Sequence, residues 1–396
     1  MLPNDCVVPN DSVVPNDCVL PDYNGAALCN LLPSAVAALG LGDSSAALQL
    51  PSSRQICVLL IDGLGCAALH EHRADAPVLS SLLAGKHPRA VTTYRDITAG
   101  FPSTTGASLA SIGTGLPPSQ HGLVGYRVLI PERGRLMSLL QWDDSVDPSD
   151  WQPHPTIFEQ LHAAGVVSAH VASPDFAASG LTRSSFRGAN YIGAATPGEL
   201  IAALAAVFGQ DGPRLIFGYY PDLDKTGHGQ GVNSPAWRHQ LAVTDRMVER
   251  LVTELPPDVT LVITGDHGMV DVEPSGKLDL DLAANLLDGV ALLGGEARAR
   301  HVYTAPGAAG DVLAAWRESL SGMAWVVSKA QAIEEQWFGP DMTDVVARRL
   351  GDVIAAALPG SALVATVKEE RQSALRGMHG SLTTAEQLIP LLTVRV

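Results

Sequence analysis

The sequence predicts an α/β fold: a doubly wound, mainly parallel sheet with helices on both faces and a smaller cap or insertion. Residues 56–61 (ICVLLI), 215–220 (LIFGYY) and 259–263 (VTLVI) are continuous apolar runs of the kind buried on both faces of a parallel sheet. Stretches of helical patterning alternate with them, as crossover connections between parallel strands require. Each run also delivers an aspartate to its C-terminal end: Asp62, Asp224 within PDLDKTGH, and Asp266 within TGDHGM. That edge is where open α/β folds place their ligands.

Composition narrows the class. The 396 residues are 46% apolar and 17% charged, which supports a sizeable core and excludes a disordered chain. The length allows two or three domains, or one large domain with an insertion. A net charge of −15 offers no basic face to displace counterions from a phosphate backbone, so no nucleic-acid polymer is expected as a partner. Part of that acidity is available for metal ligation. The five cysteines, Cys6, Cys18, Cys29, Cys57 and Cys66, form no C-x-x-C pair, and their odd number leaves one over. They read as reduced thiols, so the expected localisation is cytoplasmic. No apolar run is long enough to span a bilayer and the MLPND start lacks a basic leader region, so no membrane association is expected.

In chain order, residues 3–22 carry a repeat, PNDCVV, PNDSVV, PNDCVL, whose Pro-Asn-Asp core favours turns. Residues 1–24 are therefore expected to be a flexible tail, with Cys6 and Cys18 as an alternative metal pair. Residues 25–396 are expected to form one domain, in which 277–375 are a cap or insertion. Expected elements are a helix at 33–39, helical patterning over 67–83, a strand near 90–94, a tryptophan-bearing loop at 141–155, a helix at 156–164 and a strand at 166–172. Ser234-Pro235 starts a helix that Pro256-Pro257 stops. The cap shows strand pattern near 300–303 and 324–327 and helices near 311–320 and 342–350, with no chemistry-bearing motif. Strand pattern returns at 353–358, 363–367 and 388–394.

The stretch 101–126, FPSTTGASLASIGTGLPPSQHGLVGY, organises the rest. The hydroxyl pair Thr104-Thr105 precedes a run of small residues that can open a helix with uncovered N–H groups, a ready anion site. A threonine there can attack phosphorus if a metal lowers its pKa. It can equally be an N-cap before a helix packed closely on the sheet. Histidine at short spacing from two of the aspartates, and the glycine-flanked His379, complete a candidate set: Asp62, Thr105, Asp224, His228, Asp266, His267 and His379. Three carboxylates and three histidines suit two borderline metal ions, most simply zinc, which together can clamp an in-line displacement at phosphorus.

The order of these motifs, Asp-Gly after a strand, a threonine before T-G-L-x-P-x-x-H-G, D-x-x-G-H, D-H-G-M and G-x-H-G, resembles the alkaline phosphatase superfamily and, within it, the nucleotide pyrophosphatase/phosphodiesterase branch. The matched segments run from Asp62 to Gly380. The resemblance implies an alkaline-phosphatase-like fold, one zinc held by Asp62, Asp266 and His267 with the nucleophile, and a second held by Asp224, His228 and His379. The family's spacings select Thr105 over Thr104 and Asp224 over Asp222. There is a departure: the family's T-F-P-N-H is Thr105-Gly106-Ala107-Ser108-Leu109 here, and its phosphate-binding asparagine falls at Tyr126. A tyrosine hydroxyl can donate to a phosphoryl oxygen, making Tyr126 a substrate-binding candidate, or the ring can pack beneath the site.

The implied function is a two-metal phosphoesterase that hydrolyses phosphodiester or nucleotide pyrophosphate bonds of a small-molecule substrate through a threonine nucleophile. A phosphomonoesterase on the same fold and a metal-binding protein without turnover are the alternatives. A sulfatase is disfavoured because no C/S-x-P-x-R setting surrounds Thr105.

Overall fold

The computed structural model describes residues 14–43, 45–208 and 212–396. Its main strands are β1 (Gln55–Ile61), β2 (Val91–Thr98), β3 (Val167–Ala172), β4 (Asn190–Gly193), β5 (Arg214–Tyr220), β6 (Val259–Thr264), β7 (Val290–Glu296), β8 (Ala299–Thr304), β9 (Ala324–Ser328), β10 (Val353–Ala357) and β11 (Leu388–Arg395). The helices that matter here are α1 (Thr105–Thr114), α2 (Pro197–Phe208), α3 (Asp222–Gln230), α4 (Pro235–Glu254) and α5 (Ala309–Ser319). A seven-stranded sheet runs in the order β2-β11-β6-β1-β5-β3-β4. From β6 to β4 every pairing is parallel, whereas β11 lies antiparallel between β2 and β6. The mainly parallel, doubly wound expectation holds.

Every residue of β1 is buried, and the strand's two-residue period sorts them between two cores. Ile56, Val58 and Leu60 join Leu109 and Ile112 of α1 on one face. Cys57, Leu59 and Ile61 join Leu204 of α2 and Leu241 and Val248 of α4 on the other. Burial on both faces is the reason β1 reads as an unbroken apolar run. The small residues of α1 are required by packing: residues 106–114 are all buried, and a Cβ on Gly113 would collide with the carbonyl oxygen of Ser185.

The segment expected as a cap carries the antiparallel sheet β7-β8-β10-β9, with a core of its own around Val302, Val353 and Trp316 of α5. Several boundaries differ from the sequence reading. The helical stretch 67–83 is two helices, Cys66–Glu71 and Pro77–Leu83, and the helix expected at 342–350 is only Asp344–Ala347. The strand near 90–94 extends through Thr98 because β11 pairs with it along its whole length.

Residues 1–13, with Cys6, lie outside the described residues. Residues 14–24, expected within the flexible tail, are instead tied to the body. Val19 N donates to Leu382 O at 2.7 Å, and the buried Tyr23 hydroxyl donates to Trp337 O at 2.8 Å while accepting from Phe101 N at 2.9 Å. Tyr23 supplies burial and hydrogen bonds that a Pro-Asn-Asp repeat lacks. Cys18, Cys29, Cys57 and Cys66 are unpaired thiols. Among the described residues, no helix is long and apolar enough to cross a membrane.

Buried histidines away from the aspartates couple the fold to pH. His121 accepts from Leu123 N at 3.1 Å and sits 3.0 Å from Ser111 Oγ, and burial pushes its pKa down to about 3. His301 accepts from Gly351 N at 3.1 Å and donates to Val124 O at 3.0 Å, and burial lowers it to about 4. Each is thereby held neutral in the fold but takes up a proton when unfolded, so stability is full above pH 6.5 and falls as the pH drops towards the folded values. Between pH 6.5 and 5 each is expected to cost about 2 kcal/mol. The urea midpoint should fall over that window while neither ring titrates by NMR; a His121 or His301 imidazole signal that titrates near pH 6 in the folded protein would refute this.

Candidate metal centre and active site

Strand order assembles the site. β6, β1 and β5 are parallel neighbours, so the aspartates that follow them emerge at one sheet edge. Asp62 directly follows β1, Asp266 lies just beyond β6, and Asp224 sits in the first turn of α3, which the chain enters from β5. The helix places His228 one turn after Asp224, with Nε2 3.4 Å from Asp224 Oδ2. His379 arrives from the far end of the chain. Gly377–Met378 pairs antiparallel with Val270–Asp271, and the His379 ring stacks on His267 with centroids 3.6 Å apart.

The six side chains form one cluster. His267 Nε2 lies 3.4 Å from Asp62 Oδ1 and 3.3 Å from Asp266 Oδ2. His379 Nε2 lies 3.2 Å from His228 Nε2 and 3.8 Å from Asp224 Oδ1. Each Nδ1 faces a backbone carbonyl: His228 that of Gly377 at 2.8 Å, His267 that of Gly268 at 3.0 Å, and His379 that of Ser103 at 2.9 Å. A carbonyl accepts only, so each Nδ1 carries the proton and each Nε2 lone pair is turned into the cluster. Opposite them, Asp62 Oδ1, Asp224 Oδ1 and Asp266 Oδ2 are buried with no hydrogen-bond partner among the described residues.

Acceptors facing acceptors in a buried site are satisfied by cations, and mixed imidazole and carboxylate donors fit divalent metal ions. Ligand atoms of Asp224, His228 and His379 lie within 4.8 Å of one another, as do those of Asp62, Asp224 and His267. The electrostatics agree. Burial, reinforced by Asp266 and Asp224, holds the Asp62 carboxyl well above its ordinary range, and burial raises Asp224 despite His228 and His267. Burial, with the neighbouring His267 and His228, pushes His379 well below the usual imidazole value. The Tyr219 phenol donates to Asp62 Oδ2.

The two threonine hydroxyls are separated by what they face. Thr105, the first residue of α1, has Oγ1 3.3 Å from His267 Nε2. Thr104 makes no capping hydrogen bond and donates instead to Glu296 Oε2 at 3.2 Å. α1 is fixed over the cluster by Ser108 Oγ, which donates to Asp266 O at 2.8 Å. A cleft of about 500 Å³ opens on this arrangement, lined by Asp62, Thr105, Asp224, His228 and His379, with Tyr126 on its wall. The Tyr126 hydroxyl accepts from Gln372 Nε2 at 3.2 Å, leaving its own proton available. Phe176, Leu181 and Phe186 give the cleft an apolar side.

Asp222 is not among the lining residues. The segment 277–375, expected to shape the pocket without contributing chemistry, does line the cleft, and the correction is that it brings the ionisable Glu296 and Arg371 there, with Gln372. Burial pushes the Glu296 carboxyl up to about 8. No sequence signal marks this glutamate, which sits at the end of an ordinary strand and reaches the site only because the cap folds over it.

The model of the type I phosphodiesterase/nucleotide pyrophosphatase family matches residues 56–382, a span that contains every cluster residue. The chain belongs to this family of hydrolases. It thereby lies in the nucleotide pyrophosphatase/phosphodiesterase branch of the alkaline phosphatase superfamily. An uncharacterized pyrophosphatase/phosphodiesterase of Schizosaccharomyces pombe is 25% identical over 194 residues, 47% of this chain and 40% of that protein. The human GPI ethanolamine phosphate transferase 3 catalytic subunit is 30% identical over 73 residues, 18% of this chain and 7% of that protein. The chain thus spans less than half the length of these curated relatives. In fold it is similar to murine ectonucleotide pyrophosphatase/phosphodiesterase 5 in complex with AMP, with a TM-score of 0.67, 20% identity, and 86% of this chain and 88% of that chain covered. Phosphonoacetate hydrolase from Sinorhizobium meliloti 1021, in complex with phosphonoacetate, gives 0.66 at 19% identity, with 88% and 91% covered.

Proposed function

We propose that the chain is a two-metal phosphodiesterase or nucleotide pyrophosphatase in which Thr105 Oγ1 attacks phosphorus. The observation that carries the reading is the convergence of three unpartnered carboxylate oxygens and three inward Nε2 atoms beside that hydroxyl. Asp62, Asp266 and His267, with Thr105, would hold one divalent ion, and Asp224, His228 and His379 the other; zinc suits this donor set. Such ions lower the pKa of a bound hydroxyl and share the charge on phosphoryl oxygens. The chain's own residues do the rest. The backbone carbonyls of Gly377, Gly268 and Ser103 hold the three imidazoles in one tautomer, and α1 brings the positive end of its dipole to the phosphoryl group. The bond from Thr105 Oγ1 to phosphorus forms as the bond to the leaving oxygen breaks, and water then cleaves the phosphothreonine ester in a second displacement.

The AMP and phosphonoacetate bound by the two structural relatives support a small phosphorus-containing substrate. The unpaired Cys18, Cys29, Cys57 and Cys66 support a reducing, cytoplasmic setting. Hydrolysis of a chromogenic phosphodiester against the matching phosphomonoester by zinc-loaded protein tests the reading. Preference for the diester is expected. Preference for the monoester moves the assignment to a phosphomonoesterase, and no turnover of either with ions bound points to a metal-binding protein without catalysis. Tyr126→Phe is expected to lower kcat/KM about tenfold by removing one donor to the phosphoryl group. Unchanged kinetics would mean that the ring only packs.

A further inference from the structure

Glu296 is a third carboxyl group on the cleft, beside Asp62 and Asp224, and the proposed reaction does not use it. It ends β7 and reaches the cavity from the cap. Its Oε2 accepts from Thr104, which anchors the group beside the start of α1. Its Oε1 is buried with no hydrogen-bond partner among the described residues. Room for the carboxyl depends on Gly380, which has φ +128°; a Cβ there would lie 2.9 Å from Glu296 Cδ.

The buried glutamates nearby are treated differently. Glu386 takes Arg298 Nε at 3.0 Å, and Glu369 takes Arg300 at 2.8 Å and Arg127 at 2.6 Å. Among the described residues, no lysine or arginine pairs with Glu296. The closest nitrogen able to carry charge is His379 Nδ1 at 4.0 Å, and its proton goes to Ser103 O. Lys225 and Arg371 line the same cleft but are exposed. A largely buried carboxyl without a donor is costly, and on a ligand cavity the missing donor is one that a ligand can bring.

Resting on the phosphodiesterase reading, we infer that Glu296 is a specificity-determining residue that receives an ammonium group on the alcohol arm of the substrate. The protein then selects amino-alkyl phosphodiesters. A cation supplies the charge that Arg298 and Arg300 supply to the neighbouring glutamates, and it draws the Glu296 carboxyl, which burial holds largely protonated, into its ionised form.

The test uses three p-nitrophenyl phosphodiesters that differ only in the retained arm, 2-aminoethyl, 2-hydroxyethyl or ethyl, with zinc-loaded wild type and Glu296→Gln. Glutamine keeps the volume and an acceptor for Thr104. The readout is the ratio of kcat/KM for the aminoethyl and ethyl esters, which a purely structural role leaves unchanged. A ratio of at least about tenfold is expected in the wild type and within about twofold of unity in the variant, as for loss of a charge-assisted hydrogen bond. A wild-type ratio near one, or a ratio that survives in Glu296→Gln, overturns the inference. A hydroxyethyl ester as good as the aminoethyl ester overturns the ammonium assignment. If the wild type turns over none of the three, the phosphodiesterase reading itself falls, and the inference falls with it.

Discussion

Thr105→Ala is expected to lower phosphodiester hydrolysis by at least about a thousandfold while leaving bound metal close to wild type. The hydroxyl stands 3.3 Å from His267 Nε2 at the first position of α1. Thr104 is the nearest alternative, and its proton is committed to Glu296. Six protein ligands remain after the substitution, so metal content measured by atomic absorption should persist. Thr104→Ala serves as the contrast, with a smaller loss expected. If Thr105→Ala retained wild-type turnover, or if Thr104→Ala were the inactive variant, the nucleophile would be assigned wrongly.

Stripping the ions is expected to have the second large effect, abolishing turnover and lowering the melting temperature together. Without cations, Asp62 Oδ1, Asp224 Oδ1 and Asp266 Oδ2 face one another unsatisfied in the core. Each ion, at a free concentration a hundredfold above its Kd, stabilises the fold by about 2.7 kcal/mol, a shift of a few degrees per site for a chain of this length. Chelation followed by calorimetry measures it, and added zinc should restore both the melt and the activity. A melting temperature indifferent to chelator would mean that the cluster holds no ion. Asp224→Asn separates stability from catalysis. It removes one buried charge that burial already disfavours, so activity is expected to fall further than stability.

How much of this was legible beforehand depends on range along the chain. β1, β5 and β6 were readable because residues buried on both faces leave an unbroken apolar signature, and the aspartates after them were readable because a strand end is a local feature. Asp224 and His228 were brought together by the D-x-x-G-H motif of the family the sequence resembles, whereas the helix that sets them one turn apart is seen only in the structure. β4 escaped notice because it is a short edge strand with two half-buried residues. From residue 14 onward the tail departs from the expectation because the repeat's composition favours turns, while its docking rests on long-range contacts: Val19 with Leu382, and the buried Tyr23 with Phe101 and Trp337.

The sequence by itself determined the sheet's central strands, the seven metal and nucleophile candidates and the family, since these rest on local periodicity and on motifs in order. Tertiary structure alone decided that β6, β1 and β5 are neighbours, that His379 stacks on His267, and that Glu296 closes on Thr104 from the cap. Those are contacts between segments tens to hundreds of residues apart, set by strand order and by which buried groups find partners. No local pattern encodes them.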